Sequence, residues 1–449
     1  MKRTLWTVIL LLILHQSSLF SQKKWTLEDC ISYAITNNIQ LKRQKLQTET
    51  DKIYLLKSKM DVLPDLSFSS SGRLGFGRSI DPVTNLITFK QNLSNSYTLS
   101  SNITLFNGFA TMNTIAANKF MLKAGIETEK VAKNSLIIDI LGGFYQVMYA
   151  KGLEENARMQ LELSEKQLFR VTKSVETGKE SLSKQYELES KVSDDRLAYT
   201  IAKNTSSQAL TTLKQMLQLE PGSEFDIFMP DLDNVLITNE SFRADSIYSI
   251  ASETLPRLKA INYELIANKK QLASAKGYLF PGLYAGGSIF TGYYKVIGED
   301  DNSQNSFRQQ LKNNNSQAIF ISLSIPLFNN YSTGRNIRLA KIRQTDTELK
   351  LQQEKNSLYT EIENACLNIS RGNDEYVAAA SSLEYNKKSF ESVEKKFEAG
   401  LVDVTDYSAA NTALFKAETE TLRTKLQLLI RKLTIQFYTT GEYEKVILN

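Results

Sequence analysis

Histidine and cysteine are scarce in this 449-residue chain, and its carboxylate pairs are predicted on exposed helical faces with no pocket implied. The only histidine is His15, in a leader-like N-terminal segment, and the only cysteines are Cys30 and Cys366. Histidine is the commonest general base and metal ligand in proteins, so removal of the leader takes both roles away. Catalytic triads that need histidine are excluded. We therefore expect no enzymatic activity, no cofactor and no metal.

A phosphate-binding loop is also excluded. Gly72, Gly75 and Gly77 form a glycine-rich run, but their order does not match a phosphate loop and no Lys-Ser or Lys-Thr pair follows them. The run lies within an alternating, strand-like segment. We therefore interpret it as part of a strand.

The N-terminus has the features of a secretory signal peptide. Lys2 and Arg3 precede an apolar stretch at 5–14, and small residues follow at 17–21, so cleavage is predicted after Ser21.

In an exported protein the two cysteines could form a disulfide, and two buried free thiols are the alternative. Loss of the two leader cations lowers the formal net charge from +5 to +3 (5 − 2). That balance gives no support to nucleic-acid binding.

Several motifs occur twice at nearly constant spacing. Leu63-Pro64 returns as Phe280-Pro281 (281 − 64 = 217), and Leu105-Phe106-Asn107 returns as Leu327-Phe328-Asn329 (328 − 106 = 222). Gly178 and Gly400 give the same second offset (400 − 178 = 222). A repeat of this kind fixes the architecture. The sequence predicts a signal peptide at 1–21, a first repeat at 22–230 and a second repeat at 231–449.

Very long helices are predicted in both repeats. No proline occurs between residues 83 and 220 or after Pro326, and proline would break a helix interior. Helices at about 111–175 and 333–397 would each extend roughly 100 Å at 1.5 Å per residue. Because glycine often forms the left-handed C-cap, Gly178 and Gly400 are predicted to end them. A second helix then follows in each repeat, at about 183–219 and 404–440, and rods of this length suit a coiled bundle or tunnel wall.

Four segments alternate between polar and apolar residues, at about 65–76, 96–106, 282–294 and 316–328. Such alternation is typical of outer-membrane strands, although in isolation it also fits an edge strand of a soluble sandwich. Four strands cannot close a barrel, and open edges cannot face lipid. Two chains would give eight strands with a filled interior, whereas three would give twelve strands and a bore. We predict an α+β membrane protein that contributes four strands to a trimeric 12-stranded barrel.

Taken together, the motifs resemble those of the TolC-type outer membrane efflux protein family. The resemblance is carried by Trp25-Thr26-Leu27-Glu28-Asp29, by the repeated motifs around the strands, and by Gly400-Leu401-Val402-Asp403-Val404-Thr405-Asp406. It implies a homotrimer with a barrel in the outer membrane and a helical tunnel in the periplasm. It also implies three partners: outer-membrane lipid, a periplasmic adaptor (membrane fusion) protein, and an inner-membrane RND, ABC or MFS transporter. The chain would then be a passive duct for efflux or type I secretion.

The resemblance further implies two sets of functional residues at the ends of the helical hairpins. In the family, acidic side chains narrow the tunnel entrance, and Asp406 stands at the matching position with Asp403 beside it. Lys184 stands at the equivalent place in the first repeat, which gives a mixed gate. The adaptor would contact the tips at Ala399, Gly400, Leu401 and Gly178. Asp403 and Asp406 could instead cap a helix or face solvent.

One alternative function stays open at this point. The chain could be a non-transporting coiled-coil protein of the periplasm or cell surface. A monomer that is soluble without detergent would favour that alternative, whereas heat-modifiable migration in the membrane fraction would favour the channel.

Overall fold

The computed structural model describes residues 24–80, 85–230, 242–298 and 306–444. The predicted signal peptide lies outside these residues. The helices are α1 (Leu27–Asn37), α2 (Ile39–Met60), α3 (Ala110–Glu176), α4 (Leu182–Leu217), α5 (Ala244–Thr254), α6 (Pro256–Gly277), α7 (Phe307–Asn313), α8 (Ser332–Glu398) and α9 (Val404–Thr440). The strands are β1 (Ser67–Gly75), β2 (Ser79–Ile80), β3 (Ile87–Thr88), β4 (Asn92–Asn107), β5 (Gly282–Val296) and β6 (Ser316–Ser324). None of the described helices combines the length and hydropathy needed to cross a bilayer.

The chain forms two compact units, and each takes residues from both halves of the sequence. One unit combines residues up to 45 with 127–259 and with the chain from 353 onwards. The other combines 46–126 with 260–352 and contains the sheet. The division into repeats at 22–230 and 231–449 is a different partition, and it stays a prediction.

Helices of equal length recur along the chain. α1 and α5 have 11 residues each, α2 and α6 have 22 each, and α3 and α8 have 67 each. The first residues of these pairs differ by 217 (244 − 27), by 217 (256 − 39) and by 222 (332 − 110). The offset therefore changes between the second and third helices of each half, which is where the strands lie.

The four long strands form one antiparallel sheet in the order β1-β4-β5-β6. Leu99 of β4 is opposite Phe68 of β1 and Ile289 of β5, so these three side chains share one face. Ser100 is opposite Ser67 and Ser288, and these share the other face. The sheet consequently has an apolar face and a polar face, and the predominantly helical chain with an antiparallel sheet is of the α+β class.

The apolar face of the sheet is exposed within a single chain. Ile319 and Ile321 of β6 expose 91% and 72% of their surface, and Phe68 exposes 68%. On the polar face, hydroxyl groups bond across strands, as in Ser71 to Ser96 at 2.7 Å. This distribution is the reverse of a soluble sandwich, in which the apolar face would be covered.

Strand β6 ends at Ser324, before the end of the alternating segment at 316–328. Pro326 has no N–H to donate to a neighbouring strand, and the residue before a proline is restricted in its backbone angles. The hydrogen-bonded pairing of β6 with β5 therefore ends just before Ile325.

Asparagines connect the sheet strands to the two longest helices. Asn107 accepts the Thr111 backbone N–H at 3.2 Å and donates to the Thr111 hydroxyl at 2.7 Å. Asn329 donates to the Thr333 hydroxyl at 2.5 Å in the same way. In both cases the next two residues have positive φ, between 53° and 65°. The repeated Leu-Phe-Asn motif thus builds the turn from which α3 and α8 begin.

An apolar core in the first unit gathers four helices and one residue from each of two segments outside the helices. Its fully or nearly fully buried members are Cys30, Ile31 and Ala34 of α1, Ile137, Ile140, Phe144, Val147 and Met148 of α3, Leu213 and Leu217 of α4, Leu426 of α9, and Ile227 and Tyr443. The α3 members recur at helical spacing, so one face of that helix is buried here.

Both cysteines are free thiols. Cys30 has no exposed surface, and its burial, together with the charges of Asp29 and Glu28, raises the pKa of the thiol to about 12. Burial also raises the pKa of the partly exposed Cys366 thiol. Of the two alternatives that the sequence left open, the structure therefore has free thiols.

We expect the Cys30 thiol to be inert in the folded protein at pH 8. Its pKa lies well above that pH, so it stays protonated, and only the thiolate is a nucleophile. In a Cys366→Ala variant, titration with Ellman's reagent should detect no reactive thiol in the folded protein and one after denaturation without reductant. If the denatured, unreduced wild-type protein shows no thiol at all, the two cysteines are paired and this assignment is wrong.

Candidate functional site: the ends of the helical hairpins

Two tight turns of the same geometry close the helical hairpins. Gly178 follows α3 with a φ of 73°, and Gly400 follows α8 with a φ of 71°. The Gly178 N–H donates to Val175 O at 2.9 Å, and the Gly400 N–H donates to Phe397 O at 3.1 Å. Apart from each glycine's chain neighbours, no atom of the described residues lies within 4 Å of the position that a Cβ would take at either glycine. Glycine is therefore required here for its left-handed backbone, and space is not the constraint.

The helix after each turn begins with a side-chain cap. Asp403 accepts the backbone N–H of Asp406 at 2.8 Å, and Ser181 accepts the backbone N–H of Lys184 at 3.3 Å. These are N-caps of α9 and α4. The Asp403 carboxylate thus serves as the N-cap acceptor for the backbone N–H of Asp406. The Asp406 carboxylate is exposed and has no ion pair or hydrogen bond within the part of the chain that the structure describes.

Lys184, at the position equivalent to Asp406, is neutralised locally. Its ammonium lies 2.8 Å from a carboxylate oxygen of Glu180 and 5.0 Å from the ring centre of Phe397. Only 17% of the Lys184 side chain is exposed. A ring face attracts a cation, so Phe397 of one hairpin holds a lysine of the other. Lys184 and Asp406 therefore present very different charges to their surroundings.

An apolar cluster beneath the two turns joins the hairpins. Its buried members are Val171, Leu188, Phe390, Phe397, Val404 and Tyr407. The rings of Phe397 and Tyr407 stack with centroids 4.7 Å apart. Burial raises the pKa of the Tyr407 hydroxyl to about 12, so it stays protonated at neutral pH. The turns consequently rest on one common core.

The outer surface of the two turns differs. Ala399, Gly400 and Leu401 are exposed, and Leu401 exposes 75% of its surface. Gly178 is also exposed, but the residue after it is Lys179. One turn therefore presents an unpartnered leucine, and the other presents a cation.

Sequence reasoning missed the contacts that cross between the hairpins. The Lys184–Glu180 pair has i,i+4 spacing, so it could be recognised in the sequence. The contact of Lys184 with Phe397, and the 2.5 Å ion pair of Arg170 with Glu398, join residues more than 200 positions apart. No local signal could reveal them. Among the described residues, no group of three or more His, Cys, Asp or Glu side chains could hold a metal ion.

Comparison with known proteins identifies the family that this chain resembles. The family described as outer membrane efflux protein matches residues 247–441. An uncharacterized protein of Haemophilus influenzae is 20% identical over 382 residues, which cover 84% of this chain and 79% of that protein.

Solved structures share the fold over almost the whole chain. A crystal structure of CusC superposes with a TM-score of 0.77 at 16% identity and covers 95% of each chain. The Campylobacter jejuni CmeC outer membrane channel gives 0.76 at 17% identity, covering 92% of this chain and 85% of that one. The Neisseria gonorrhoeae MtrE outer membrane channel gives 0.74 at 17% identity, covering 93% and 89%. The resemblance to the outer membrane efflux family is confirmed.

We expect Asp403→Ala to loosen the first turn of α9. Loss of an N-cap acceptor costs about 0.5–2 kcal/mol, which corresponds to roughly 2- to 30-fold faster amide exchange where that turn opens. Hydrogen–deuterium exchange of a peptide covering 404–410 measures the effect. Asp403→Asn keeps a side-chain acceptor and should exchange like the wild type. Unchanged exchange in Asp403→Ala, or equal acceleration in both variants, would argue against this hydrogen bond as the cap.

Proposed function

We propose that this chain, which matches the outer membrane efflux protein family and has the fold of outer membrane channels, is the outer-membrane duct of a tripartite efflux or type I secretion system. It would passively conduct substrates delivered through a periplasmic adaptor by an inner-membrane RND, ABC or MFS transporter. The sheet would lie in outer-membrane lipid and the helical hairpins in the periplasm. The observation that carries the proposal is a four-stranded sheet with an exposed apolar face, a polar face and two open edges.

The two open edges of the sheet are equal in length, and their strand directions are complementary. β1 and β6 each have nine residues, and each pairs with only one other described strand. Because every neighbouring pair is antiparallel, β1 and β6 run in opposite directions. The β1 of a second copy could therefore extend the sheet next to β6 as another antiparallel pair. In lipid an open edge would leave each backbone group unpaired at several kcal/mol.

The polar face supports closure by three copies. Two copies would give eight strands, whose interior is filled by side chains. Three would give twelve strands around a bore, and the serine, threonine and asparagine side chains of the polar face would line it. The exposed isoleucines of β6 would then meet lipid. A monomer in water would rarely leave a contiguous apolar face of this kind uncovered.

Edge-to-edge closure predicts a specific cross-linking pattern. In a background with Cys30→Ala and Cys366→Ala, Ser71→Cys in β1 and Ser322→Cys in β6 should be joined between chains by a thiol cross-linker that spans about 8 Å, since adjacent strands are about 4.8 Å apart. Within one chain β4 and β5 lie between the two positions, and Ser71 is level with Gly292 of β5 whereas Ser322 is level with Tyr284. The two cysteines of one chain are therefore three strands and eight residues (292 − 284) apart, which is beyond reach. The detergent-solubilised protein should give a ladder that ends at a covalent trimer.

The two single-cysteine variants are the controls for this ladder, and they should stay monomeric. A ladder that stops at the dimer would contradict twelve strands, and a ladder that continues beyond three would contradict a closed ring. Absence of any cross-link, together with a monomer that is soluble without detergent, would favour the coiled-coil protein of the periplasm or cell surface.

The gate and the adaptor contact belong to this proposal. The exposed, unpaired Asp406 supports a gate in which three carboxylates meet, whereas the capping role of Asp403 and the ion pair of Lys184 with Glu180 reduce their contributions. The exposed Leu401, flanked by Ala399 and Gly400, supports adaptor contact at the second turn. Gly178 would shape the corresponding contact at the first turn.

If Asp406 forms the gate, Asp406→Ala should raise the single-channel conductance or weaken block by multivalent cations. The change in the blocking constant should be roughly 1.5- to 5-fold, as expected for an exposed charge pair worth about 0.2–1 kcal/mol. Recordings in planar lipid bilayers measure both quantities. Asp403→Asn removes one charge but preserves an acceptor for the cap, and its effect should be smaller. Unchanged conductance and block in Asp406→Ala would leave Asp406 as a solvated residue of the first helical turn.

A further inference from the structure

Arg73 is the only charged side chain on the polar face of the four long strands. It lies on β1 opposite Ser94 of β4, which in turn is opposite Tyr294 of β5. The only other charged residue of these strands, Lys295, is opposite Leu93 and so belongs to the other face. Arg73 is exposed, and its guanidinium has no ion pair or hydrogen bond with any residue that the structure describes. A cation that has no counter-ion among the described residues thus lies among hydroxyl groups.

A concave site of about 570 Å³ surrounds this arginine. Its lining includes Ser71, Arg73, Ser94, Ser96, Phe290 and Tyr294. Gly292 lies between the two aromatic residues along β5 and leaves a gap on this face. The tip of the Phe290 ring is 3.6 Å from the position that a Cβ of Gly292 would occupy, so the ring lies over the gap. The site therefore has an apolar aromatic wall beside a cationic, hydroxyl-lined one.

The aromatic end of the site is held in place by hydrogen bonds. Gln310 pairs with the backbone of Tyr294 twice, accepting its N–H and donating to its carbonyl oxygen, each at 2.9 Å. The Tyr294 hydroxyl is 3.2 Å from the hydroxyl of Ser79, which also accepts from Asn92 at 2.9 Å. Only 8% of Tyr294 is exposed. The site is accordingly formed before any ligand enters, which is typical of small-molecule sites.

We propose that this site binds organic anions that have a flat apolar body and one carboxylate or sulfonate group. A guanidinium binds such groups through two parallel hydrogen bonds, and the serine hydroxyls supply further donors. The Phe290 ring offers a face for stacking with an aromatic or planar body. A small inorganic anion would gain nothing from that ring, and a cation would be repelled by Arg73.

This inference rests on the proposed function, because only a closed barrel places the polar face along the path of the cargo. In a trimer three copies of the site would face one bore. The duct would then favour amphiphilic anions among the molecules that its pump delivers.

The test is block of single-channel current by naphthalene-2-sulfonate in planar bilayers, together with the reversal potential in a KCl gradient. Arg73→Gln should weaken the block by roughly three- to tenfold, as expected for loss of one charge-assisted contact at an exposed site, and should shift the reversal potential towards cation selectivity. Phe290→Ala should weaken the block but leave the reversal potential unchanged. Arg78→Gln, which removes an exposed arginine just beyond β1, is the matched control and should change neither quantity.

The outcomes separate this site from the channel itself. If the wild-type trimer carries no current, the proposed function fails. If it conducts but Arg73→Gln alters neither block nor selectivity, the anion site fails and the channel stands. Equal effects of Arg73→Gln and Arg78→Gln would overturn the site in favour of diffuse charge near the pore mouth. Migration of each variant as a heat-sensitive trimer shows that it has assembled.

Discussion

The pairing of backbone N–H and C=O groups along the sheet is the constraint on which the rest of the structure depends. β6 covers β5 only from Gly282 to Phe290, although β5 continues to Val296. Over the remainder, side chains take the place of a strand: Gln310 pairs with Tyr294, and Asn314 donates to Gly292 O at 2.8 Å. The short helix α7 and its flanks thus block this stretch of β5. Among the described strands, what stays open is one nine-residue edge on each side of the sheet, at β1 and at β6.

Charged side chains are distributed unevenly between the sheet and the helices. The long strands carry only two charged side chains, whereas the helices carry many, often in pairs at helical spacing such as Lys166 with Glu162 of α3. The two helical turns have the same backbone, yet they have diverged in what they expose. One presents Asp406 and Leu401 to its surroundings, whereas the other presents Lys179 and packs Lys184 against Phe397. The backbone geometry of the two turns is thus the same, whereas their side chains differ.

Local physics explains how much of this could be predicted from the sequence. The strands, the long helices and the turns could be predicted because their sequence signals are local. These signals are period-two alternation, the absence of proline over long stretches, and the glycines at 178 and 400. The start of β4 at Asn92 could not be predicted, because its first four residues are mostly polar and are held by ladders with β1 and β5. The helix α7 could not be predicted either, because its Gln310 bonds to the backbone of Tyr294, 16 residues away, and no local pattern reveals that contact. At the candidate site, the cap by Asp403 is local, whereas the Lys184–Phe397 contact depends on tertiary packing alone.

The equal length of α3 and α8 restricts the insertions and deletions that either helix can accommodate. A helix turns by about 100° per residue, so one residue inserted into α8 alone would rotate Phe397 out of the cluster that it shares with Val171. Only matched insertions in both helices keep the shared core intact, and a seven-residue step disturbs each helical face least, by about 20°. The equal span of 67 residues in α3 and α8 is therefore what keeps these contacts in register. Variants with shortened or lengthened helices should be built by heptads, with the same change in α3 and in α8.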